Sequence, residues 1–306
     1  MHIVVDILIL GAGWSSQFLT PLCNARGISY AATSRSGRES TIKFDFDPNS
    51  GSHEPYHALP KARVVLITFP IIVKGASERL IRLYTQTHSL DGSNSKDDAE
   101  TKFIQLGTTG MWDGARLNLN GARKPAQDLW YDRHSPYALT PRAESEEELL
   151  ALSPNFPTAV LNLVGLWGGA RLPKNWVGRV AGSKEALKNK GSLHVIHGTD
   201  VARAVLAVYG DFEKARGQRW LLTDGRVYDW WDLASAWGTP PIQSLTQTRA
   251  DADADRGPQA GWVRELMDEC GVRALPRDAQ HLGRALDSRE FWSMFGITPV
   301  KPLLQD

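Results

Sequence analysis

The residues whose types and spacing could do chemistry fall into four groups. In the first, Gly11 and Gly13 end the apolar run Ile7 to Leu10 and lead through Trp14 into the small pair Ser15 and Ser16, followed by Phe18, Leu19 and Leu22 at helical spacing. A strand that turns on glycine into a helix presents free amides to phosphate. The first glycine permits the tight turn, the second lets a pyrophosphate reach the backbone, and Ser16 stands where a third would pack helix on strand. The second group, Ser34, Arg35, Ser36 and Arg38, lies about 22 residues beyond the glycine pair, with no carboxylate before Glu39. At the tip of a second strand an acid would bind a ribose 2′-hydroxyl, whereas arginine accommodates a 2′-phosphate, so this turn predicts NADP(H) rather than NAD(H).

The third group ends neighbouring strands beside the same ligand: Asp45 and Phe46 to flank adenine, and Thr68, Phe69 and Pro70 at a fourth strand's carboxyl end. The fourth group is the candidate acid–base set. Gly107, Thr108 and Thr109 close a fifth strand that opens into Trp112 and Asp113, and Asp132, His134, Tyr137 and Arg142 follow. Trp112, Asp113 and Trp167 are candidate walls of a substrate pocket, with core packing an equal reading for the tryptophans. His194, His197 and Asp200 suggest metal ligands only superficially, because residues three apart on a strand face opposite sides; no metal site is expected. Lys74 is read as solvated.

The elements that must position these groups alternate strand and helix. Strands are expected at Ile7–Leu10, Gly27–Thr33, Thr41–Asp47, Arg63–Pro70, Thr101–Gly110, Thr158–Gly165 and, shorter, around Gln218–Gly225. Helices are expected after the glycine turn, from Ala76 to Tyr84, from Val201 to Tyr209 and from Trp230 to Trp237. One more helix opens at Thr140-Pro141, a capping threonine followed by proline at the first helical position. That alternation is the pattern of an α/β fold, a doubly wound parallel sheet. Ser89–Asp98 reads as a polar surface loop and Ser244–Ala260 as a spacer or lid too polar to pack.

The order of these signals resembles the short-chain dehydrogenase/reductase superfamily, in its extended or atypical epimerase/dehydratase-like branch, over nearly the whole chain. Leu8–Ser16 is similar to that family's glycine turn and Phe103–Trp112 to its fifth strand. Ser135–Glu144 resembles its Tyr-x-x-x-Lys segment, Leu161–Gly169 its sixth-strand exit, and His194–Ala204 its His-Val-x-Asp-Val-Ala helix start. Thr223–Leu233 and Gly296–Pro299 look like its substrate lobe. The resemblance implies a Rossmann domain over 1–169, rejoined by 193–225, and a C-terminal substrate lobe drawn mainly from 170–306. It also implies a Ser or Thr holding the substrate oxygen, a Tyr exchanging the proton and a Lys lowering that tyrosine's pKa. Thr108 or Thr109 and Tyr137 match the first two roles. The third breaks: four residues past Tyr137 stands Pro141, and the nearest cation is Arg142. Three readings stay open. They are an NADP(H)-dependent oxidoreductase acting on a carbonyl or alcohol of a small, partly apolar metabolite, a non-redox isomerase, lyase or cyclase with His134 or Asp132 as acid/base, and an NADP(H) sensor without turnover.

Bulk composition narrows the partners. Across 306 residues, 35 Lys and Arg against 34 Asp and Glu leave a net charge of +1 and no long basic run, so nucleic acid is not the expected partner and a small molecule is. Two cysteines, Cys23 and Cys270, make no disulfide framework. No stretch is apolar for long enough to span a membrane, and no signal peptide is read, so a cytoplasmic protein is expected, monomer or homodimer.

Overall fold

The computed structural model describes residues 4–38, 40–89, 100–113, 130–238 and 257–303. Glu39, nearly all of the polar loop read at 89–98, and 244–256 of the polar stretch read at 244–260 lie outside the described residues.

Consecutive buried residues define the centre of the sheet. β1 (Val4–Leu10) and β4 (Lys61–Ile67) carry the unbroken buried runs Ile7–Leu10 and Val64–Ile67, as strands covered on both faces must. Around them stand β2 (Tyr30–Ser34), β3 (Ile42–Lys43), β5 (Lys102–Thr108), β6 (Thr158–Leu163) and β7 (Gln218–Leu222). All seven are parallel, in the order β7-β6-β5-β4-β1-β2-β3. Ile7 is fixed opposite Tyr30 on one side and Val64 on the other. The strand order reverses between β1 and β4, and ligands of open α/β sheets bind at that reversal, outside the carboxyl ends.

Alternation along the strands feeds two cores. Ile7, Ile9, Val64, Leu66, Ile104 and Leu106 pack on one face with α1 (Ser16–Ala25) and α4 (Gly198–Gly210). Leu8, Leu10, Val65, Ile67 and Phe103 pack on the other with α2 (Ala76–Ser89) and α3 (Pro141–Ala151). A third cluster gathers Trp167, Val177, Leu187, Tyr228, Trp231, Leu233, Val263 and Leu266 around α5 (Trp230–Trp237) and α6 (Pro258–Cys270). Each such side chain contributes about 1.5–3 kcal/mol by leaving water.

Several boundaries differ from the sequence expectation for local reasons. β3 is confined to Ile42–Lys43, and the Asp47 carboxylate accepts the Asn49 amide in the turn beyond it. β5 stops at Thr108, whose hydroxyl accepts the Gly110 amide and opens a 3-10 turn at Thr109–Trp112. The sixth strand ends at Leu163, and Gly165–Trp167 pairs separately with Val195–His197. Residues 258–260 belong to α6, with Pro258 at its first position. No helix among the described residues is long and apolar enough to cross a membrane.

Candidate functional site

A cavity of about 1090 Å³ opens at the strand-order reversal, at the upper end of the usual size of cofactor sites. Its floor is the turn from Gly11 to Ser15. Gly11 has φ +94°, and a Cβ there would meet the Thr68 hydroxyl at 2.7 Å, so both the backbone and the neighbour demand glycine. Thr33 holds this turn from β2, its hydroxyl accepting the Gly11 amide and its carbonyl the Ala12 amide. Thr68 holds it from β4 by donating to the Gly11 carbonyl at 2.6 Å. At Gly13 the nearest atom to an added Cβ is the Gly11 carbonyl oxygen, 3.9 Å away, which leaves the backbone face open. Helix α1 then begins with no side-chain cap and no acid in its first turn. The Gln17 and Phe18 amides turn back to the Trp14 and Ser15 carbonyls, and the amides of Trp14, Ser15 and Ser16 ahead of them are the ones a helix start offers to an anion.

Ser34, Arg35, Ser36 and Arg38 line the same cavity. Arg38 reaches across to donate to the Ala12 carbonyl, which puts a guanidinium against the glycine turn, and the Ser34 hydroxyl accepts the Arg38 amide. Asp45 and Phe46 follow from β3, and Thr68, Phe69 and Pro70 from β4. Phe46 and Phe69 stack with centroids 5.5 Å apart, an aromatic wall of the kind that accepts a flat base. Ser16 does not line the cavity: its hydroxyl donates to the Gly13 carbonyl at 2.6 Å and closes the turn from behind. Gly107 does not line it either. A Cβ there would fall 2.5 Å from Asn162 Nδ2 and 2.6 Å from Glu146 Oε1, so this glycine makes room for a buried polar cluster.

The candidate acid–base residues stand outside this cavity, and each has a partner. Thr109 is buried and donates to the Leu163 carbonyl, while the Thr108 hydroxyl is occupied by the Gly110 amide. Tyr137 lies upstream of α3, because Thr140 caps that helix through the Ala143 amide and Pro141 opens it. Its hydroxyl donates to the Glu147 carboxylate at 2.6 Å, and burial together with that bond raises its pKa. The Arg219 guanidinium lies 4.5 Å above the Tyr137 ring. Arg142 is no partner to Tyr137; it donates to the Leu106 carbonyl and faces Glu146. His134 is exposed and pairs at 3.1 Å with Glu290, which Arg133 also grips through two nitrogens. Burial pushes Asp132 upward, but bonds from Ser135 and the His134 amide outweigh it and leave its pKa below the ordinary value.

The expected pocket walls are likewise placed elsewhere. Trp112 is 0 % and Trp167 1 % exposed, so both fill the interior; the Trp112 ring nitrogen donates to the Ser135 carbonyl. Asp113 is at the surface and pairs with Arg284 at 2.6 Å. His194 accepts the Leu286 amide and His197 caps α4 through the Thr199 amide; among the described residues no group of three or more potential metal ligands occurs.

Two polar groups escaped the sequence reading. Arg171 lines the cavity from the far part of the chain, with its guanidinium 4.7 Å from the centre of the Trp14 ring. Glu146 is fully buried at the end of β5, accepting the Thr108 amide at 3.1 Å and Asn162 Nδ2 at 2.6 Å, with Arg142 and Arg219 each 3.6 Å away. Burial pushes its pKa up against those four. The signal was available, since Ala143, Glu146 and Leu149 recur every three residues on the buried face of α3.

At the level of sequence, no family model and no curated protein matches. Solved structures do. An NAD-dependent epimerase/dehydratase from Methylobacillus flagellatus superposes with a TM-score of 0.58 at 17% identity, covering 97% of this chain and 94% of its own. MoeE5 in complex with UDP-glucose and NAD gives 0.58 at 14%, over 97% and 94%. A short-chain dehydrogenase/reductase superfamily protein from Agrobacterium tumefaciens with bound NAD gives 0.59 at 10%, over 98% and 94%. The chain therefore shares the fold of the NAD-dependent epimerase/dehydratase and short-chain dehydrogenase/reductase proteins that its sequence motifs resemble.

Proposed function

We propose that this chain binds NADP(H) across the carboxyl ends of β1, β2 and β4 and acts as an oxidoreductase on a carbonyl or alcohol of a small, partly apolar metabolite. The observation that carries this reading is one cavity lined both by the glycine turn and by Arg35 and Arg38, with no carboxylate at the β2 tip among the described residues. The donor set fits the cofactor. Uncapped amides at the start of α1 suit the pyrophosphate, the arginines and serines of the β2 tip suit a 2′-phosphate, and Phe46 with Phe69 suits the adenine. When bound, the cofactor supplies or accepts a hydride. Ile71, Ile72, Val73 and Leu166 line the same cavity, which supports an apolar portion in the substrate. The described residues of 170–306 outside 193–225 mainly form the lobe that would close on it.

The second reading, binding of NADP(H) without turnover, is favoured by one arrangement. The Tyr137 hydroxyl is held by a carboxylate that raises its pKa, and no lysine stands four residues on, so the phenol is not activated as a base near neutrality. Isothermal titration with NADPH and NADH tests the shared core of both readings. NADPH is expected to bind tighter by about tenfold or more, as charge-assisted bonds to one extra phosphate allow. Arg35→Ala should shrink that preference while leaving NADH affinity unchanged; Arg38→Ala should shrink it too, with some loss for NADH because its bond to the Ala12 carbonyl of the glycine turn goes with it. Equal affinity for the two cofactors, indifferent to both substitutions, would overturn the NADP(H) assignment.

A further inference from the structure

We infer that Arg171 is a pyrophosphate clamp, presented to the glycine turn on a platform built from Trp14, Gly168 and His197. The inference rests on the dinucleotide reading of the cavity and adds to it a phosphate ligand from the distant half of the chain. Three arginines line the cavity. Two, Arg35 and Arg38, come from the β2 tip; the third, Arg171, lies against the turn that ends β1.

What sets Arg171 apart from an ordinary surface arginine is how it is held. Gly168 and Arg171 exchange backbone hydrogen bonds at 2.9 and 3.1 Å, which closes a tight loop just after Trp167. The Gly168 carbonyl also accepts the Trp14 ring nitrogen at 3.0 Å, tying this loop to the phosphate-binding turn. Only glycine can occupy position 168, since φ is +110° and a Cβ would stand 2.3 Å from His197 Nε2. His197 is itself fixed between Phe18 and Trp167, with centroids 5.1 and 4.6 Å away. On this base the Arg171 guanidinium packs over the Trp14 ring, and among the described residues it has no carboxylate partner. A planar cation pre-oriented by an aromatic face loses little conformational freedom on gripping a phosphate. The turn it overlooks, Gly11 to Ser15, is where a pyrophosphate would lie. NADPH and NADH share that group, so Arg171 should serve both, unlike Arg35 and Arg38.

Isothermal titration of NADPH and NADH against the full chain and the Arg171→Gln, Arg171→Lys and Trp14→Leu variants tests this. Arg171→Gln is expected to weaken both cofactors by about tenfold, the worth of one charge-assisted contact, leaving their ratio unchanged. Arg171→Lys should fall between, because the charge stays and the stacked plane goes. Trp14→Leu should reproduce the loss although Arg171 is intact. Because Arg171 is exposed, its variants should melt with the parent protein. Binding of both cofactors within twofold of the parent overturns the clamp, and so does a loss confined to NADPH. Equal parent affinity for the two cofactors with both weakened by Arg171→Gln would sink the 2′-phosphate reading and keep the clamp. Binding of neither cofactor by the parent protein would sink both.

Discussion

Replacing Glu146 with alanine should cost about 3 kcal/mol of folding free energy, and the figure can be worked from its neighbours. The part-buried Thr108 amide would lose its acceptor and Asn162 Nδ2 one of its two, keeping the Thr108 carbonyl, at about 1–3 kcal/mol together. Arg219, with only 9 % of its side chain exposed, would lose the carboxylate 3.6 Å away, and breaking a buried pair by removing one partner typically costs about 3–5 kcal/mol in all. Against this, burial already pushes the Glu146 pKa up, so part of the carboxylate's cost of desolvation disappears with it. The low end of the range is therefore expected for Glu146→Ala, and about half of it for Glu146→Gln, which keeps the volume and one acceptor. Urea denaturation followed by circular dichroism gives both numbers. An alanine variant within about 1 kcal/mol of the parent would mean that the end of β5 is held by its ladder alone, and the reasoning would fail.

Three other perturbations follow from named contacts. Gly107→Ala should destabilise by about 1–3 kcal/mol through overpacking against Asn162, Glu146 and Val160, and combined with Glu146→Ala it should cost less than the two separately, because one clash has been removed; denaturation of the double variant checks this. Burial raises Asp224 to about 6 from its ordinary 3.8, against the Tyr228 hydroxyl that donates to it. Between those values the folded protein keeps a proton that the unfolded chain has lost, so stability falls as pH rises through that window, by about 3 kcal/mol in all. Asp224→Asn should flatten this slope, and denaturation midpoints for parent and variant that run parallel from pH 4 to 7 would contradict it. Tyr137→Phe should leave NADPH affinity unchanged, since Tyr137 does not line the cavity; under the oxidoreductase reading a loss of turnover would mean that the phenol is carried to the nicotinamide on binding, and retained turnover that substrate or solvent supplies the proton. Titration combined with a single-turnover absorbance trace at the nicotinamide band separates these outcomes.

Features set by one short stretch of chain were legible in the sequence. The glycine turn needs a tight bend, an open backbone and a following helix, and each requirement selects residue types within about ten positions. The placement of the β2 tip in the same cavity is nearly as local, because its distance from β1 follows from the parallel order of the strands. The wall formed by Phe46 and Phe69 was half visible: each residue was placed at the end of a strand, but their stacking depends on how β3 and β4 come together. Arg171 was invisible, since nothing between 160 and 175 announces that the residue packs on Trp14. The strand end expected at Gly110 failed because the Thr108 side chain is spent on a turn, a local competition that strand alternation does not register.

The acid–base end resisted prediction for a different reason. Spacing alone exposed the missing lysine: with Pro141 four residues after Tyr137, no cation could share a helical face with the phenol. The structure supplies the cause. Thr140 and Pro141 start α3 three residues too late for Tyr137 to belong to it, so the tyrosine turns to Glu147 in the next turns of the helix, while Arg142 is drawn inward by the Leu106 carbonyl and Glu146. The position of the helix start thus sets both side chains at once, the neutral phenol in a surface hydrogen bond and the guanidinium toward the interior. Neither Tyr137 nor Arg142 lines the cavity at the glycine turn, so the two sites are built from separate parts of the chain.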